Sequence, residues 1–218
     1  MMQAYGMTEL GPIATLLPAE FHAGRGRERG KIRSAGRPCT ICDVRVIDLQ
    51  GNEVPRGVVG EIVVRGPGMM LGYWNKPEES AHATRGGWMH TGDGGYMDDD
   101  GFVFVADRLK DMIVTGGENV YSVEVENVVA RHPAVLQCAV IAIPDDTWGE
   151  IVHACVVARP GMALTLDELQ RHCRESIANY KIPRSLDVMA ELPLSGAGKV
   201  LKAKLRERFW AGRARHVG

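Results

Sequence analysis

The order of apolar and polar residues predicts paired strands in the first half of the chain. Ile41 to Asp48 alternates between apolar and polar residues, Val58 to Val64 is β-branched, and Gln50-Gly51-Asn52 between them favours a turn. This pattern predicts a β-hairpin. Gly92 to Met97 and Phe102 to Ala106, joined by a short acidic turn, predict a second hairpin. The first hundred residues are therefore expected to be rich in β-structure.

Helix signals are concentrated further along the chain. Thr165 and Glu168 have the spacing of a capping box, and an apolar face follows them. Ser122 is predicted to cap another helix, which His132-Pro133 would end. The remaining predicted elements are a short helix over 76–84 opened by Pro77, strands over 135–143 and 151–158, and a helix over 202–209.

The change from strands alone to strands alternating with helices predicts a domain boundary at Asp107 to Asp111. Up to that boundary the chain reads as mainly β-structure, and beyond it as a compact α+β unit. The fold class predicted for the whole chain is therefore α+β.

Composition excludes several classes of protein. The 218 residues include 26 Lys and Arg against 27 Asp and Glu, and 45% are hydrophobic, which is typical of globular chains and not of disordered or fibrous ones. The near-neutral charge argues against a dedicated nucleic-acid binder. Apolar runs stay well below the roughly 20 residues of a bilayer span, and residues 1–10 lack an export signal. We expect a cytoplasmic protein with no transmembrane segment and no nucleic acid as partner.

Isolated metal-like or basic features have simple interpretations. Cys39 and Cys42 have the spacing of half a zinc site, but no second pair is present, so they are interpreted as small residues at a strand start. His90 and His153 lack partners at ligand spacing and are expected to pack. The basic stretch 22–33 has no phosphate-loop spacing and predicts a solvated loop.

Two of four short stretches combine glycine with polar side chains suited to a nucleotide. In Tyr5-Gly6-Met7-Thr8-Glu9 the ring can stack on a purine, Thr8 can donate to a phosphate oxygen, and Glu9 can bind Mg²⁺. In 87–93, Asp93 directly follows a glycine, and a carboxylate there can accept bonds from two ribose hydroxyls.

The other two stretches carry positive charge or paired glycines. Asp107 to Asp111 contains Arg108 and Lys110 and is followed by Gly116-Gly117. Pro193 to Lys199 presents a lysine at the end of a glycine-containing loop. On spacing alone this lysine would more often be a solvated surface residue.

Taken together and in this order, the four stretches resemble the carboxyl-terminal motifs of the adenylate-forming superfamily. Its members include acyl-CoA synthetases, luciferases and peptide-synthetase adenylation domains. Three further stretches, at 60–66, 72–74 and 145–149, are similar to carboxylate–CoA ligases in particular. The resemblance covers essentially the whole chain. It implies the end of a large AMP-binding domain over 1–107, with a distorted-barrel subdomain, a hinge at 108–110, and a mobile domain with a central antiparallel sheet over 111–218.

The resemblance also implies a reaction. A carboxylic acid attacks the α-phosphate of ATP in the presence of Mg²⁺, and a thiol, here coenzyme A, then accepts the acyl group. Tyr5 and Gly6 would lie against adenine, Thr8 would touch the α-phosphate, Glu9 would bind Mg²⁺, and Asp93 would hold the ribose.

The second half of the chain would supply the remaining implied roles. Arg108 would assist at the ribose, Lys110 would be the hinge about which the domain rotates, and Gly116 and Gly117 would border the channel of the thiol arm. Lys199 would bridge the substrate carboxylate and the phosphate, where its charge offsets anionic repulsion.

The resemblance further implies that the phosphate loop and most of the acid pocket lie upstream of Tyr5. We therefore expect this chain to be the carboxyl-terminal part of an acyl-CoA synthetase, acting on a fatty acid or another carboxylic acid, and to have little activity alone. Two alternatives stay open: a ligase that loads a carrier protein, and a non-catalytic module that binds a partner or forms a homodimer.

Overall fold

The strands of the first half of the chain form two open antiparallel sheets. The computed structural model describes residues 1–23 and 30–212, so half of the basic stretch 22–33 lies outside the described residues. One sheet has the strand order β1-β2-β3 and the other β4-β5-β6-β7. The strands are β1 (Gln3–Tyr5), β2 (Thr15–Leu17), β3 (Arg37–Pro38), β4 (Asp43–Ile47), β5 (Gly60–Arg65), β6 (Met89–Met97) and β7 (Val103–Arg108).

Both predicted hairpins are present in the larger sheet. β4 pairs with β5 in antiparallel register from Asp43 opposite Arg65 to Ile47 opposite Glu61. The turn between them is closed by Asp48, whose carboxylate accepts the backbone N–H groups of Gln50 and Asn52 at 2.9 and 2.8 Å. Within the described residues the two sheets stay open, so the distorted barrel expected for this part of the chain is not closed here.

The second half forms one five-stranded sheet. Its strands are β8 (Ile113–Thr115), β9 (Glu118–Val120), β10 (Val135–Asp145), β11 (Gly149–Ala158) and β12 (Ser185–Met189). The order is β10-β11-β8-β9, and β12 also pairs with β11. β12 runs parallel to β11, whereas the other pairs are antiparallel. The prediction of a central antiparallel sheet is therefore confirmed, with β12 as a parallel addition to it.

Helices cover both faces of this second sheet. The described chain has four α-helices. Helix α1 (Pro77–Ala83) belongs to the first half, and the second half contains α2 (Ser122–Val129), α3 (Leu166–Arg174) and α4 (Lys202–Trp210). Side chains of α2 and α3 share a buried cluster with Val140, Val152 and Val156. Leu205 and Phe209 of α4 pack with Ile141 and Cys155 on the other face. Because successive strand residues point to opposite faces, the near-continuous apolar runs of β10 and β11 fill both clusters.

The start of helix α2 differs from the prediction. Ser122 is the first helical residue and not the cap. Its hydroxyl donates to the buried carboxylate of Asp107 at 2.5 Å, and the same carboxylate oxygen accepts the N–H of Val123 at 3.1 Å. A carboxylate from the end of β7 thus satisfies a helix N-terminus that the local sequence does not cap.

The chain divides into two compact units, Met1–Ala106 and Asp107–Gly218. The functional domain limits expected above, with a hinge at 108–110, stay predictions. In the described part of the chain, no helix has the length and apolar character needed to cross a bilayer.

Helix α3 begins with the capping box that the sequence predicts. The Thr165 hydroxyl accepts the N–H of Glu168 at 3.3 Å, and the Glu168 carboxylate accepts the N–H of Thr165 at 2.9 Å. We predict that Thr165→Ala lowers the free energy of unfolding by about 1 kcal/mol, because the N–H of Glu168 loses its acceptor. Urea denaturation measures the change. Thr165→Ser, which keeps the hydroxyl, should restore most of the loss, and equal stability of the alanine variant and the parent would contradict this role.

Candidate functional site

A bulge in strand β6 presents Asp93. β5 and β6 pair at Glu61 opposite Gly94 and again at Val63 opposite His90, so Ile62 alone faces three residues, Thr91 to Asp93. Extra residues in one strand of an antiparallel pair bend that strand and redirect its side chains. The bulge therefore sets the direction of the carboxylate that the sequence assigns to the ribose.

Side chains hold the bulge at several points. The Thr91 hydroxyl donates to the carbonyl of Ile62 at 2.7 Å and accepts the N–H of Asp93 at 3.1 Å. Gly92 has a φ of +69°, which favours glycine, and its N–H donates to Glu61 at 3.2 Å. The conformation before Asp93 is thus fixed by hydrogen bonds on both sides.

Glu61 is the central residue of this support. One of its carboxylate oxygens accepts the N–H of Gly92, and the other lies 2.8 Å from Nδ1 of His90 and 3.2 Å from the Arg85 guanidinium. His90 thus packs against a carboxylate inside the support.

Tyr5 and Asp93 are brought into contact. The Tyr5 hydroxyl donates to Oδ2 of Asp93 at 2.8 Å across 88 positions of sequence. Next to Tyr5, a Cβ at Gly6 would lie 1.9 Å from the carbonyl oxygen of Pro12, so only glycine fits there. The aromatic residue and the carboxylate assigned to adenosine therefore belong to one local arrangement.

Thr8 and Glu9 lie on the 3₁₀ turn Thr8–Leu10 directly after Gly6 and Met7. Thr8 is exposed, and Glu9 accepts the Tyr73 hydroxyl at 2.9 Å. This hydrogen bond to the carboxylate raises the pKa of Tyr73. Glu9 lies four positions after Tyr5 and offers a carboxylate, which is the kind of ligand that Mg²⁺ prefers. Glu9 therefore fits the cation implied by the resemblance.

Lys199 closes a short turn in the second unit. Leu194 and Val200 form an isolated antiparallel bridge. Within it the Ser195 N–H donates to the Lys199 carbonyl at 2.8 Å, and the Ser195 hydroxyl accepts the Lys199 N–H at 3.1 Å. Gly198 has a φ of +76°, as the turn requires. The backbone of the lysine is held while its side chain is exposed.

Arg108 and Lys110 are both exposed, at the end of β7 and in the 3₁₀ turn Leu109–Asp111. Asp111, in the same turn, is buried and bonds Arg206 at 2.6 Å. The start of the second unit is thus anchored by Asp107 and Asp111, and the two basic residues project from it.

The Gly116-Gly117 turn connects β8 and β9 and packs against Trp148. Both glycines have positive φ, +59° and +85°. The N–H of Gly116 donates to the carbonyl of Trp148 at 2.9 Å, and a Cβ at Gly116 would lie 2.8 Å from the Trp148 ring, whereas one at Gly117 would meet nothing within 4 Å. The local reason for glycine at 116 is therefore both conformational and steric.

Three supporting residues escaped the sequence reasoning. Glu61, Thr91 and Tyr73 all belong to motif stretches, but no spacing rule connects them to Asp93 or Glu9, because the connection runs across strands. The functional roles of Tyr5, Gly6, Thr8, Glu9, Asp93, Arg108, Lys110, Gly116, Gly117 and Lys199 themselves stay predictions.

His153 has partners that sequence spacing does not reveal. Its Nε2 lies 3.0 Å from Oδ2 of Asp187, and its Nδ1 lies 2.7 Å from the Ser185 hydroxyl. Burial, and to a smaller extent the charge of Arg208, lower the pKa of His153 to about 4, while burial raises that of Cys155 to about 11. The expectation that His153 lacks a partner cluster is wrong. Among the described residues, the one group of three or more that could hold a metal is His153, Cys155 and Asp187, which leaves Cys39 and Cys42 as a pair of free thiols.

Two family models match the chain. The model for the AMP-binding enzyme matches residues 1–74, and the model for the AMP-binding enzyme C-terminal domain matches residues 124–199. The chain therefore belongs to the adenylate-forming superfamily of AMP-binding enzymes.

Named relatives act on different acids. A fatty acid–[acyl-carrier-protein] ligase of Streptomyces coeruleorubidus is 42% identical over 215 residues, which cover 99% of this chain and 41% of the relative. A feruloyl-CoA synthase of an Amycolatopsis species is 46% identical over 95% of this chain and 41% of the relative. The chain thus spans about two fifths of the length of these relatives.

Solved structures share the fold. The o-succinylbenzoate CoA synthetase of Bacillus subtilis, in complex with its acyl-adenylate intermediate, superposes with a TM-score of 0.84 at 35% identity over 100% of this chain and 42% of its own. The same synthetase with ATP and a magnesium ion gives 0.82 at 36% identity over 94% and 41%. The α+β fold predicted from the sequence is therefore confirmed.

The packing of Trp148 on the Gly116 turn generates a test. We predict that Gly116→Ala lowers the free energy of unfolding by roughly 1–3 kcal/mol, because the methyl group meets the indole and φ is positive. Gly196→Ala is the matched control, since that position has ordinary φ and no atom within 4 Å of an added Cβ. Chemical denaturation compares the two, and equal stability of both variants would contradict the steric account.

Proposed function

We propose that this chain is part of an ATP-dependent acid–thiol ligase that activates a carboxylic acid as its acyl-adenylate and transfers the acyl group to coenzyme A. The observation that carries the proposal is the contact between Tyr5 and Asp93 on a braced bulge. It joins two stretches that the resemblance assigns to one adenosine. The match of the chain to AMP-binding enzymes supports the same conclusion.

Asp93 is suited to the ribose because its backbone is fixed before any ligand arrives. A carboxylate has about four acceptor positions, so it can receive the Tyr5 hydroxyl together with sugar hydroxyls. The ring of Tyr5, held at its hydroxyl end, is then available to a purine along its face. Arg108 is proposed to donate to the same ribose.

Thr8 and Glu9 are proposed to meet the phosphates. Thr8 donates to the α-phosphate, and Glu9 holds Mg²⁺, which supplies charge neutralisation for the pyrophosphate leaving group when bound. Glu9 is oriented by Tyr73, so the carboxylate is in place before the cation arrives. A solved relative crystallised with ATP and a magnesium ion supports this pair of ligands.

Lys199 is proposed to bind the carboxylate and phosphate oxygens during adenylation. Two anions must approach each other in this step, and a fixed ammonium group lowers the energy of that approach. The bonds between Ser195 and Lys199 hold the backbone and leave the side chain exposed to reach the substrates.

Lys110 and the Gly116-Gly117 turn are proposed to serve the second step. Lys110 lies in the short turn that opens the second unit, which is where a rotation would be concentrated. The turn with its two glycines would border the path of the pantetheine arm of coenzyme A. Its Gly117 leaves open space where a side chain would stand.

Coenzyme A is our proposed acceptor, and a carrier protein is the alternative. The relative named feruloyl-CoA synthase favours coenzyme A as acceptor. The relative named fatty acid–[acyl-carrier-protein] ligase favours a carrier protein. Offering both thiols to the same acyl-adenylate separates them. A fatty acid is the substrate class we would try first, with aromatic acids beside it.

The chain alone is proposed to have little adenylation activity, since relatives are more than twice as long and would orient the acid with residues it does not contain. Leu71 and Trp74 are apolar side chains that are fully or almost fully exposed. They support contact with the rest of the ligase or, as an alternative, a homodimer, which size-exclusion chromatography would detect.

Free thiols at all five cysteines support a cytoplasmic location.

The proposed role of Lys199 gives a direct test in a ligase reconstituted by joining this chain to an upstream half. We predict that Lys199→Ala reduces acid-dependent ATP–pyrophosphate exchange by at least about 100-fold, since one charge interaction of the transition state is lost. Lys204→Ala, an exposed lysine of helix α4, is the control and should leave exchange unchanged. Normal pyrophosphate exchange by the Lys199 variant would refute the assignment.

A further inference from the structure

A polar group interrupts the apolar face of the second sheet beneath helix α4. His153 and Cys155 lie two residues apart on β11 and therefore point to the same face. The parallel register places Ser185 opposite His153 and Asp187 opposite Cys155. The rest of this face is apolar, with Ala139, Ile141, Ile143, Val157, Leu192 and Leu205 as its buried members.

The three potential ligands converge. One ring nitrogen of His153, Sγ of Cys155 and a carboxylate oxygen of Asp187 all lie within 4.8 Å of one another, and Nε2 to Oδ2 is 3.0 Å. Ligand atoms around a tetrahedral Zn²⁺ with ordinary bond lengths are separated by roughly 3.3–3.8 Å. Small side-chain rotations on two rigid neighbouring strands would therefore bring the atoms to these separations.

Ser185 provides the second contact that metal-binding histidines usually have. Its hydroxyl lies 2.7 Å from Nδ1 of His153, on the side of the ring away from Asp187. When Nδ1–H donates to this hydroxyl, the lone pair of Nε2 points at the cluster, which is the tautomer that binds a metal. The imidazole is buried, so its ring orientation is also fixed by packing.

Asp187 makes the cluster accessible. His153 and Cys155 are 2% and 0% exposed, but the side chains of Asp187 and of Arg208, which pairs with it, are 34% and 57% exposed. The Arg208 guanidinium binds Oδ2 of Asp187, the same oxygen that lies 3.0 Å from Nε2 of His153. Arg208 sits on the last turn of α4 and can move into water, which would leave Asp187 to an incoming ion.

We propose that His153, Cys155 and Asp187 bind a divalent transition-metal ion of borderline softness, with Zn²⁺ as the expected ion. Nitrogen, sulfur and oxygen ligands in one cluster suit Zn²⁺ and do not suit Mg²⁺ or Ca²⁺. Binding forms a bond from the metal to the Cys155 sulfur, releases the thiol proton to solvent, and displaces Arg208 from Asp187. A water completes the fourth position. The site is separate from the proposed ligase residues, and its occupancy stabilises the second unit.

Cobalt provides the probe, because Co²⁺ replaces Zn²⁺ and its thiolate and tetrahedral complexes absorb light. The parent protein and every variant in this test carry Cys39→Ser and Cys42→Ser. These two cysteines, which are three positions apart in sequence, therefore cannot supply a thiolate. We expect one equivalent of Co²⁺ to produce a thiolate-to-cobalt absorption band that added Zn²⁺ abolishes. Cys155→Ser should lose the band, and Cys173→Ser, a cysteine buried on the other face of the sheet, should keep it.

Two further variants keep the test decisive if Cys155→Ser does not fold. Asp187→Asn changes a partly exposed residue and should weaken Co²⁺ binding at least tenfold. Arg208→Gln removes the competing cation and should tighten binding several-fold, whereas Lys204→Gln on the same helix should not. Circular dichroism checks folding, and Zn²⁺ should raise the thermal midpoint of the parent but not of Asp187→Asn. No cobalt band in the parent, or a Co²⁺ affinity left unchanged by Asp187→Asn or by Arg208→Gln, would overturn the site and leave the cluster as a His–Asp–Arg ion pair.

Discussion

The geometry of the nucleotide side of the candidate site depends on one mismatch in strand pairing. Ile62 faces three residues of the neighbouring strand, and the surplus is taken up by the bulge at Thr91 to Asp93. The Glu61 carboxylate accepts the N–H of Gly92 in the bulge. The Thr91 hydroxyl, also in the bulge, donates to the carbonyl of Ile62 on the neighbouring strand. These bonds fix the backbone that leads to Asp93 and to its contact with Tyr5. Polar support is thus concentrated where the proposed ligand binds.

The second unit presents exposed cationic residues beside a backbone that buried contacts hold in place. Asp107 caps α2 through Ser122 and Val123, and Lys202 of α4 donates to the same Ser122 hydroxyl at 2.6 Å. The residues that follow the Lys199 turn are thereby tied to the residue that precedes Arg108. Arg108 directly follows one residue held by these contacts, and Lys199 precedes another by three positions. The side chains of Arg108, Lys110 and Lys199 are exposed. The charged groups of these three side chains are exposed to water, whereas the buried polar groups of the same segments have hydrogen-bond partners. This arrangement avoids the free-energy cost of burying an unpaired charge.

Elements with local signals were predictable from the sequence, and contacts across strands were not. The β4–β5 hairpin follows from alternation and a turn closed by Asp48, and helix α3 follows from its capping box. Ser122 was expected to cap α2, but the cap comes from Asp107, fifteen residues away, because a carboxylate is the stronger acceptor for exposed N–H groups. The bulge, the Tyr73–Glu9 bond and the Asp187 partner of His153 arise from sheet register. No local pattern of residues encodes that register, so sequence reasoning found the candidate ligands but not the residues that orient them.

Binding of AMP to this chain tests the central claim most directly, because the claim is that the Tyr5–Asp93 arrangement recognises adenosine. Backbone amide resonances followed by NMR during an AMP titration should shift most at Gly92 and Asp93. Asp93→Asn should weaken the fitted affinity at least several-fold, and Asp99→Asn in the exposed turn of the second hairpin should not. Shifts confined to other regions, or an affinity that Asp93→Asn leaves unchanged, would contradict the account.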